Sequence, residues 1–296
     1  MNKHLFPLPD LLLRPYVEFA LTEDLGRRGD VTSYATIAPD LKATLNIVSR
    51  QSGVIAGMSL ARLAFYMIDA DIEFVAQCRD GQRVEPSTVL AEVSGNAQAL
   101  LSAERTALNF LTHLSGIATQ TNDIVNLVKE TEAVITCTRK TIPGLRTLQK
   151  YAVRAGGGRN HRLGLDDAIL IKDNHIAIAG SITAALRQAK EVAGHLIPLE
   201  IEVDTLEQLE EALAVGVDLV LLDNMSLDEL RDAVALCQGR ARTEASGGVN
   251  PETVLGVAQT GVDFIAMGWL THTVPSLDIG LDFIPSTATD NRGTQA

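Results

Sequence analysis

Between Arg139 and Lys172 the chain carries eight basic side chains (Arg139, Lys140, Arg146, Lys150, Arg154, Arg159, Arg162 and Lys172) against two acids, Asp166 and Asp167. That is about +6 in a protein whose formal net charge is −12. A basic island on an acidic protein focuses small anions, and guanidinium forks grip carboxylates or phosphates through paired hydrogen bonds. The chemistry to expect is the gripping of a small polyanion. Gly156-Gly-Gly-Arg-Asn-His-Arg162 reads as a flexible loop that delivers His161 and Arg162 to the same place. Ser246-Gly247-Gly248, ahead of a helix from Pro251, resembles a phosphate cradle: glycines let backbone amides approach an anion, and a helix start adds positive potential. Glu202 and Asp223 are the acids expected beside it, where they would hold Mg2+ or stabilise a developing cation. Arg146, Lys150 and Arg154 fall at helical spacing and read as a solvated helix face.

These residues need elements to hold them. After about residue 130, short apolar runs alternate with helical patterns. The runs are Ala133–Cys137, Ala168–Ile171, Pro198–Val203, Val217–Leu222, Thr243–Ala245 and Asp263–Met267. Helical periodicity marks Ile182–Val192, Leu206–Val215 and Leu227–Cys237. Repeated strand–helix units imply a parallel sheet with right-handed crossovers, and six or seven of them suit a closed or nearly closed α/β barrel; a doubly wound sheet is the alternative. A barrel's site forms where its strands end. Here the runs end on Thr138-Arg139-Lys140, Lys172-Asp173-Asn174-His175, Glu202, Asp223-Asn224, Ser246-Gly247-Gly248 and Gly268. Glu200, Glu202 and Asp204 alternate within one apolar strand and share a face.

The first part of the chain reads as α+β. Asp10–Leu25 and Ser59–Ala70 have helical spacing, Ala43–Ile47, Ile72–Ala76 and Val89–Val93 read as strands, and Ala97–Glu130 is mostly helical with a break near Gly116. The expected organisation is an N-terminal α/β sandwich domain over 1–115, a barrel over 116–273, and a C-terminal segment, 274–296, that packs back on the first domain and frays after about Pro285.

Composition bounds the function. With 46% apolar residues the 296-residue chain buries a sizeable core. Its acidity argues against nucleic acid or an anionic membrane as partner. No apolar stretch is long enough to span a bilayer, and the N-terminus lacks the pattern of a signal peptide. Three well-separated cysteines (Cys78, Cys137, Cys237) without a Cys-x-x-Cys suggest neither a zinc site nor a disulfide framework. A cytoplasmic protein is expected.

Several long motifs then point to one family. Thr138-Arg-Lys-Thr-Ile-Pro-Gly-Leu-Arg146, Gly156-Gly-Gly-Arg-Asn-His-Arg-Leu-Gly164, Ile171-Lys-Asp-Asn-His175, Leu221-Leu-Asp-Asn224 and Ser246-Gly-Gly248 resemble, in order, the patterns of quinolinate phosphoribosyltransferase. So do Glu23-Asp-Leu-Gly26, Gly29-Asp-Val-Thr32, Glu104-Arg-Thr-Ala-Leu-Asn-Phe-Leu111 and Thr260-Gly-Val-Asp263. The resemblance implies phosphoribosyl transfer from 5-phosphoribosyl-1-diphosphate to quinolinate, with Mg2+ and decarboxylation, giving nicotinate mononucleotide, diphosphate and CO2 in NAD biosynthesis. By resemblance, Arg105, Arg139, His161, Arg162 and Lys172 would hold the two carboxylates, and Lys140 the diphosphate. Ser246, Gly247, Gly248 and Gly268 would hold the 5-phosphate, with Thr138 among the binding residues. Glu202 and Asp223 would take the ribose hydroxyls or Mg2+. Glu202, Asp223, Lys140 and Lys172 form the implied catalytic set. The resemblance also implies an open-faced N-terminal α/β sandwich domain joined to an incomplete α/β barrel of six or seven parallel strands, and at least a homodimer in which each barrel mouth is covered by the partner's N-terminal domain, with Arg105 reaching that mouth. Two alternatives stay open at this stage: a Schiff-base lyase or aldolase using Lys172, and a phosphoribosyltransferase for another pyridine carboxylate.

Overall fold

The computed structural model describes residues 5–283, so the expected fraying after Pro285 lies outside the described residues. These divide into two compact units: residues 6–112 with 277–283, and residues 113–276 with Leu5.

In the first unit, α1 (Asp10–Leu25) buries Leu13, Val17 and Leu21, spaced four apart on one face. α2 (Val31–Thr36) is a short helix that periodicity does not reveal. Asp30 caps it by accepting the N–H groups of Thr32 and Ser33 at 3.1 and 3.0 Å. Then come β1 (Lys42–Ser49), β2 (Gly53–Val54), α3 (Met58–Ile68), β3 (Glu73–Ala76), β4 (Arg83–Val84) and β5 (Val89–Asn96). β1, β3 and β5 form an antiparallel sheet, which the late segment Ile279–Phe283 completes by pairing with β1. β2 and β4 make a separate ribbon.

α4 (Ala97–Leu127) runs for 31 residues without the break expected near Gly116. Gly116 has another purpose. A Cβ there would stand 2.1 Å from the Pro275 carbonyl oxygen, so the glycine admits a second backbone against the helix.

The second unit holds β6 (Val134–Thr136), α5 (Arg146–Ala155), β7 (Ile169–Ile171), α6 (Asp173–Ala179), α7 (Ile182–Val192), β8 (Leu199–Val203), α8 (Leu206–Val215), β9 (Leu219–Asp223), α9 (Leu227–Cys237), β10 (Arg242–Ser246), α10 (Val254–Ala258), β11 (Phe264–Ala266) and α11 (Trp269–His272). Ile279–Phe283 is β12. The six parallel strands lie in the order β6-β11-β10-β9-β8-β7. Successive strands add on the same side and the first returns to neighbour the last. A doubly wound sheet would reverse direction partway, so this is a barrel left open between β6 and β7. Arg159 begins to fill the gap through a parallel bridge to Thr136.

Serine and threonine caps set the helix starts on the barrel's outside. Ser181, Thr205 and Ser226 accept from backbone N–H groups at the heads of α7, α8 and α9. Apolar stripes such as Leu209, Ala212 and Leu213 on α8 are buried.

Candidate active site

Residues two apart along a strand share a face, and the registers place Asp223 beside Ser246 and Glu202 beside Leu221. At the C-terminal ends of the strands lies a cavity of about 830 Å³. β6 delivers Thr138, Arg139 and Lys140; β7 delivers Lys172; β8 and β9 deliver Glu202 and Asp223; β10 and β11 deliver Ser246, Gly247, Gly248 and Gly268. The loop before β7 adds His161 and Arg162. One step deeper, Leu170, Leu221 and Ala266 give the lining an apolar part. Of the residues expected at the site, Arg105 alone does not line this cavity. It belongs to the first unit, as an exposed side chain 4.0 Å from Glu104.

The sequence reading did not select Asn224, Asn250, Trp269 or His272, which also line the cavity. For Asn224 there was a signal. Its φ is +55°, a region asparagine tolerates better than most residues, and it follows a strand-terminal aspartate. Its side chain donates to Asp223 Oδ2 at 2.6 Å.

The basic wall is under-paired. Arg139 Nε and Arg162 Nε are buried without an acceptor, although Arg162 Nη1 donates to the Ala168 carbonyl at 3.2 Å. Burial lowers the basicity of Arg162, and the neighbouring Arg139 charge lowers it further. Lys140 has no ion-pair partner among the described residues. Lys172 is paired with Glu202. Two crowded guanidiniums with unsatisfied donors form a site that an anion completes.

Below this wall the barrel interior is acidic, and of its two acids the sequence reading singled out Glu200 but not Glu244. Glu200 and Glu244 are 4% and 3% exposed. His161 Nε2 lies 3.1 Å from Glu200 and 3.9 Å from Glu244, and Thr136 Oγ1 donates to Glu244 at 2.7 Å. Burial, then the Glu200 charge, pushes Glu244 up to about 7. Burial opposes charge on His161, but the hydrogen bond to Glu200 and the two carboxylate charges outweigh it and raise its pKa. Yet His161 Nδ1 accepts the Arg162 N–H at 2.7 Å, which a doubly protonated ring cannot do. The geometry therefore holds the neutral Nε2–H form in this conformation, with both ring nitrogens engaged by protein. Of the three alternating acids, Glu200 faces this core, Glu202 faces the cavity, and Asp204 is exposed.

α5 corrects two expectations. Lys150 is not a solvated helix residue. It is 0% exposed, and its Nζ donates to the carbonyls of His161 and Arg162, both at 2.7 Å. Arg146 likewise donates to Thr141 Oγ1 and to the Leu163 carbonyl. The glycine run is tight rather than flexible. A Cβ on Gly156 would meet the Ala118 carbonyl oxygen at 2.4 Å, and one on Gly158 would meet Val153 Cγ1 at 2.9 Å. These glycines let the loop press onto its neighbours. Gly247 and Gly248 do need freedom, with φ of +94° and +60°. The following helix begins only at Val254 and has five residues, so the cradle rests on the glycine turn and not on a helix start at Pro251.

Known proteins share this architecture. The model "Quinolinate phosphoribosyl transferase, N-terminal domain" matches residues 30–115, and "Quinolinate phosphoribosyl transferase, C-terminal domain" matches residues 117–282. The chain is 47% identical over 275 residues to the nicotinate-nucleotide pyrophosphorylase [carboxylating] of Mycobacterium leprae, covering 91% of this chain and 96% of that one. It is 43% identical over 272 residues to a Bacillus subtilis protein described as a probable nicotinate-nucleotide pyrophosphorylase [carboxylating], covering 92% and 93%. The solved nicotinate-nucleotide pyrophosphorylase of Francisella tularensis matches with a TM-score of 0.91 at 37% identity, over 96% of this chain and 100% of that one.

Proposed function

The chain belongs to the quinolinate phosphoribosyltransferase family, and on that premise we propose that its barrel mouth joins quinolinate to 5-phosphoribosyl-1-diphosphate, releasing diphosphate and CO2 and leaving nicotinate mononucleotide. It is a phosphoribosyltransferase of NAD biosynthesis. The observation that carries the residue assignment is the pair of buried, unsatisfied guanidinium nitrogens on Arg139 and Arg162. A planar pyridine dicarboxylate supplies the missing acceptors, and each charge-assisted contact contributes roughly 1.5–3 kcal/mol. The apolar floor of Leu170, Leu221 and Ala266 accepts the ring. Lys172 completes the carboxylate site from the far wall.

The ribosyl donor takes the other side. The positive-φ turn at Gly247 and Gly248, with Ser246, cradles the 5-phosphate, and Gly268 keeps space beside Lys140, whose Cδ a Cβ would meet at 3.0 Å. Lys140, unpaired, receives the diphosphate. Glu202 and Asp223 face the sugar and stabilise positive charge at its anomeric carbon as diphosphate leaves. The pyridine nitrogen then captures that carbon; CO2 leaves the ring carbon beside the alkylated, cationic nitrogen, which stabilises the electron pair left there until a proton from water takes the place of the carboxylate. Catalysis of this kind works by positioning and electrostatics. Mg2+ suits the hard oxygens of Asp223 and Glu202. Asp223 has no ion-pair partner among the described residues, while Lys172 already compensates Glu202. When bound, the ion neutralises diphosphate charge.

A Schiff-base role for Lys172 is disfavoured by its carboxylate partner, and a borohydride-trapped adduct there would reverse that view. The protein acts as a homodimer in which Arg105 serves the partner's mouth. Leu101, one helical turn before Arg105 on α4, is also exposed, as an interface side chain of a lone subunit would be. Three buried free cysteines suit a reducing cytoplasm, and no described helix is long and apolar enough to cross a membrane. The deciding assay incubates purified protein with quinolinate, the ribosyl diphosphate and Mg2+ and follows nicotinate mononucleotide. Turnover with nicotinate but not quinolinate would refute the substrate.

A further inference from the structure

Lys150 is the one fully buried cation among the described residues, and nothing in the transfer reaction calls for it. Burying an ammonium is costly unless every donor is used. Here two are spent on consecutive backbone carbonyls, those of His161 and Arg162, each at 2.7 Å, and Cys137, at the end of β6, is a further hydrogen-bond partner. Lys150 thus ties α5 to β6 and to the two residues whose side chains reach the cavity. The loop has few other constraints at that point. The Arg162 N–H goes to the His161 ring, and the next anchors are the Leu163 carbonyl on Arg146, the Leu163 and Gly164 N–H groups on Asp167, at 2.6 and 2.9 Å, and the Arg162 guanidinium on the Ala168 carbonyl.

A carbonyl fixed in space fixes the peptide plane that follows it. Setting the carbonyls of residues 161 and 162 therefore sets the plane from which the Arg162 side chain departs and the N–H on which the His161 ring rests. Burial, the largest influence on its pKa, makes the ammonium less basic than usual, partly offset by Cys137 and Asp167, so the charge is held in place by its partners.

We propose that Lys150 is a positioning residue for the pyridine-dicarboxylate half of the site, acting through the backbone of residues 161–162 without touching substrate. This rests on the assignment of Arg162 to a quinolinate carboxylate. Most of the donor half, Ser246, Gly247, Gly248 and Gly268, follows β10 and β11, which Lys150 does not touch; Lys140 alone shares β6 with Cys137.

The test compares Lys150→Met, which keeps length and loses charge and donors, with Arg162→Met as a control on the underlying assignment. Steady-state KM for quinolinate and for the ribosyl diphosphate are measured separately, alongside thermal unfolding. Lys150→Met is expected to raise the KM for quinolinate at least tenfold and to leave that for the ribosyl donor within about twofold. A change only in thermal stability or in the amount of active enzyme, with both KM values unchanged, overturns the proposal. If Arg162→Met leaves the quinolinate KM unchanged, the assignment beneath the proposal falls and the proposal with it. Should Lys150→Met fail to fold, Lys150→Gln, which keeps a neutral donor, must show the same selective rise, and equal rises for both substrates would refute the role.

Discussion

Replacing Glu244 by Gln should stabilise the protein at pH 8 and leave it almost unchanged at pH 5. Glu244 is buried on β10 against Glu200, with His161 and Thr136 as its other polar neighbours. Burial and the Glu200 charge carry its pKa from an ordinary 4.5 to about 7. The sign follows from proton counting. Between pH 4.5 and 7 the folded chain keeps a proton that the unfolded chain has released, so folding stability falls as pH rises across that window and stays low above it. The displacement corresponds to on the order of 3 kcal/mol at full development, of which about 2 kcal/mol lies between pH 5 and 8. The Gln side chain can still accept from Thr136, and its amide can donate to Glu200, but it does not titrate. Urea unfolding at pH 5 and pH 8, followed by the fluorescence of the single tryptophan, Trp269, measures the difference. Parallel stability curves for parent and variant would mean that Glu244 titrates like an exposed carboxylate and that the acidic core carries no strain.

Two further outcomes come from close packing and from the shared mouth. Gly156→Ala, at a φ of −73° that any residue accepts, places a methyl group 2.4 Å from the Ala118 carbonyl oxygen; overpacking there should cost about 1–3 kcal/mol in unfolding free energy, and an unchanged melting temperature would show that the loop yields freely. Arg105→Ala and Lys172→Ala chains, each inactive alone, should regain partial activity when mixed under conditions that exchange subunits, whereas proven exchange without recovery would place Arg105 outside the partner's site.

The barrel was legible because its two periods are strong and its strand ends differ from its strand bodies. Each of the six apolar runs became a strand, and α1, α7, α8 and α9 begin and end where the periodicity does. The polar residues at the run ends were readable as site residues because a parallel barrel has one catalytic face, and most of them line the cavity, whereas Asp173, Asn174 and His175 instead begin α6. Partnership was not legible. The same i, i+4 spacing on α5 describes a solvated face or a buried one, and only the loop at residues 161–162 decides that Lys150 turns inward. Gly116 signals a helix break in sequence, but Pro275, 159 residues later, is what requires it. Glu244 was hidden inside a run of three residues counted as apolar. Where a contact joins segments distant in sequence, periodicity contains no term for it.

The buried acids make physical sense once the anion site above them is considered. Arg139 and Arg162 crowd each other, and before substrate arrives that repulsion would splay them. Glu200 lies below, hydrogen-bonded to His161 and close enough to raise the basicity that Arg139 depresses on Arg162. Glu202 pairs with Lys172 by direct contact. Glu200, buried under the arginines and not among them, balances their charge without occupying the cavity that substrate carboxylates need. All four side chains of that lower layer, Thr136, Glu244, His161 and Glu200, already hold a hydrogen bond to one another, and one oxygen, Glu200 Oε1, is buried without a partner. The free enzyme thus stores opposing charge in two layers. On the proposed assignment, a dianion entering the upper layer would relieve the arginine repulsion directly, because it would bring the acceptors that both Nε groups lack. A monocarboxylate can satisfy only one of those cations and leaves the other desolvated. Discrimination between quinolinate and nicotinate then follows from the cost of an unpaired guanidinium, a penalty of about 1–3 kcal/mol, or roughly 5- to 150-fold in affinity, from that nitrogen alone.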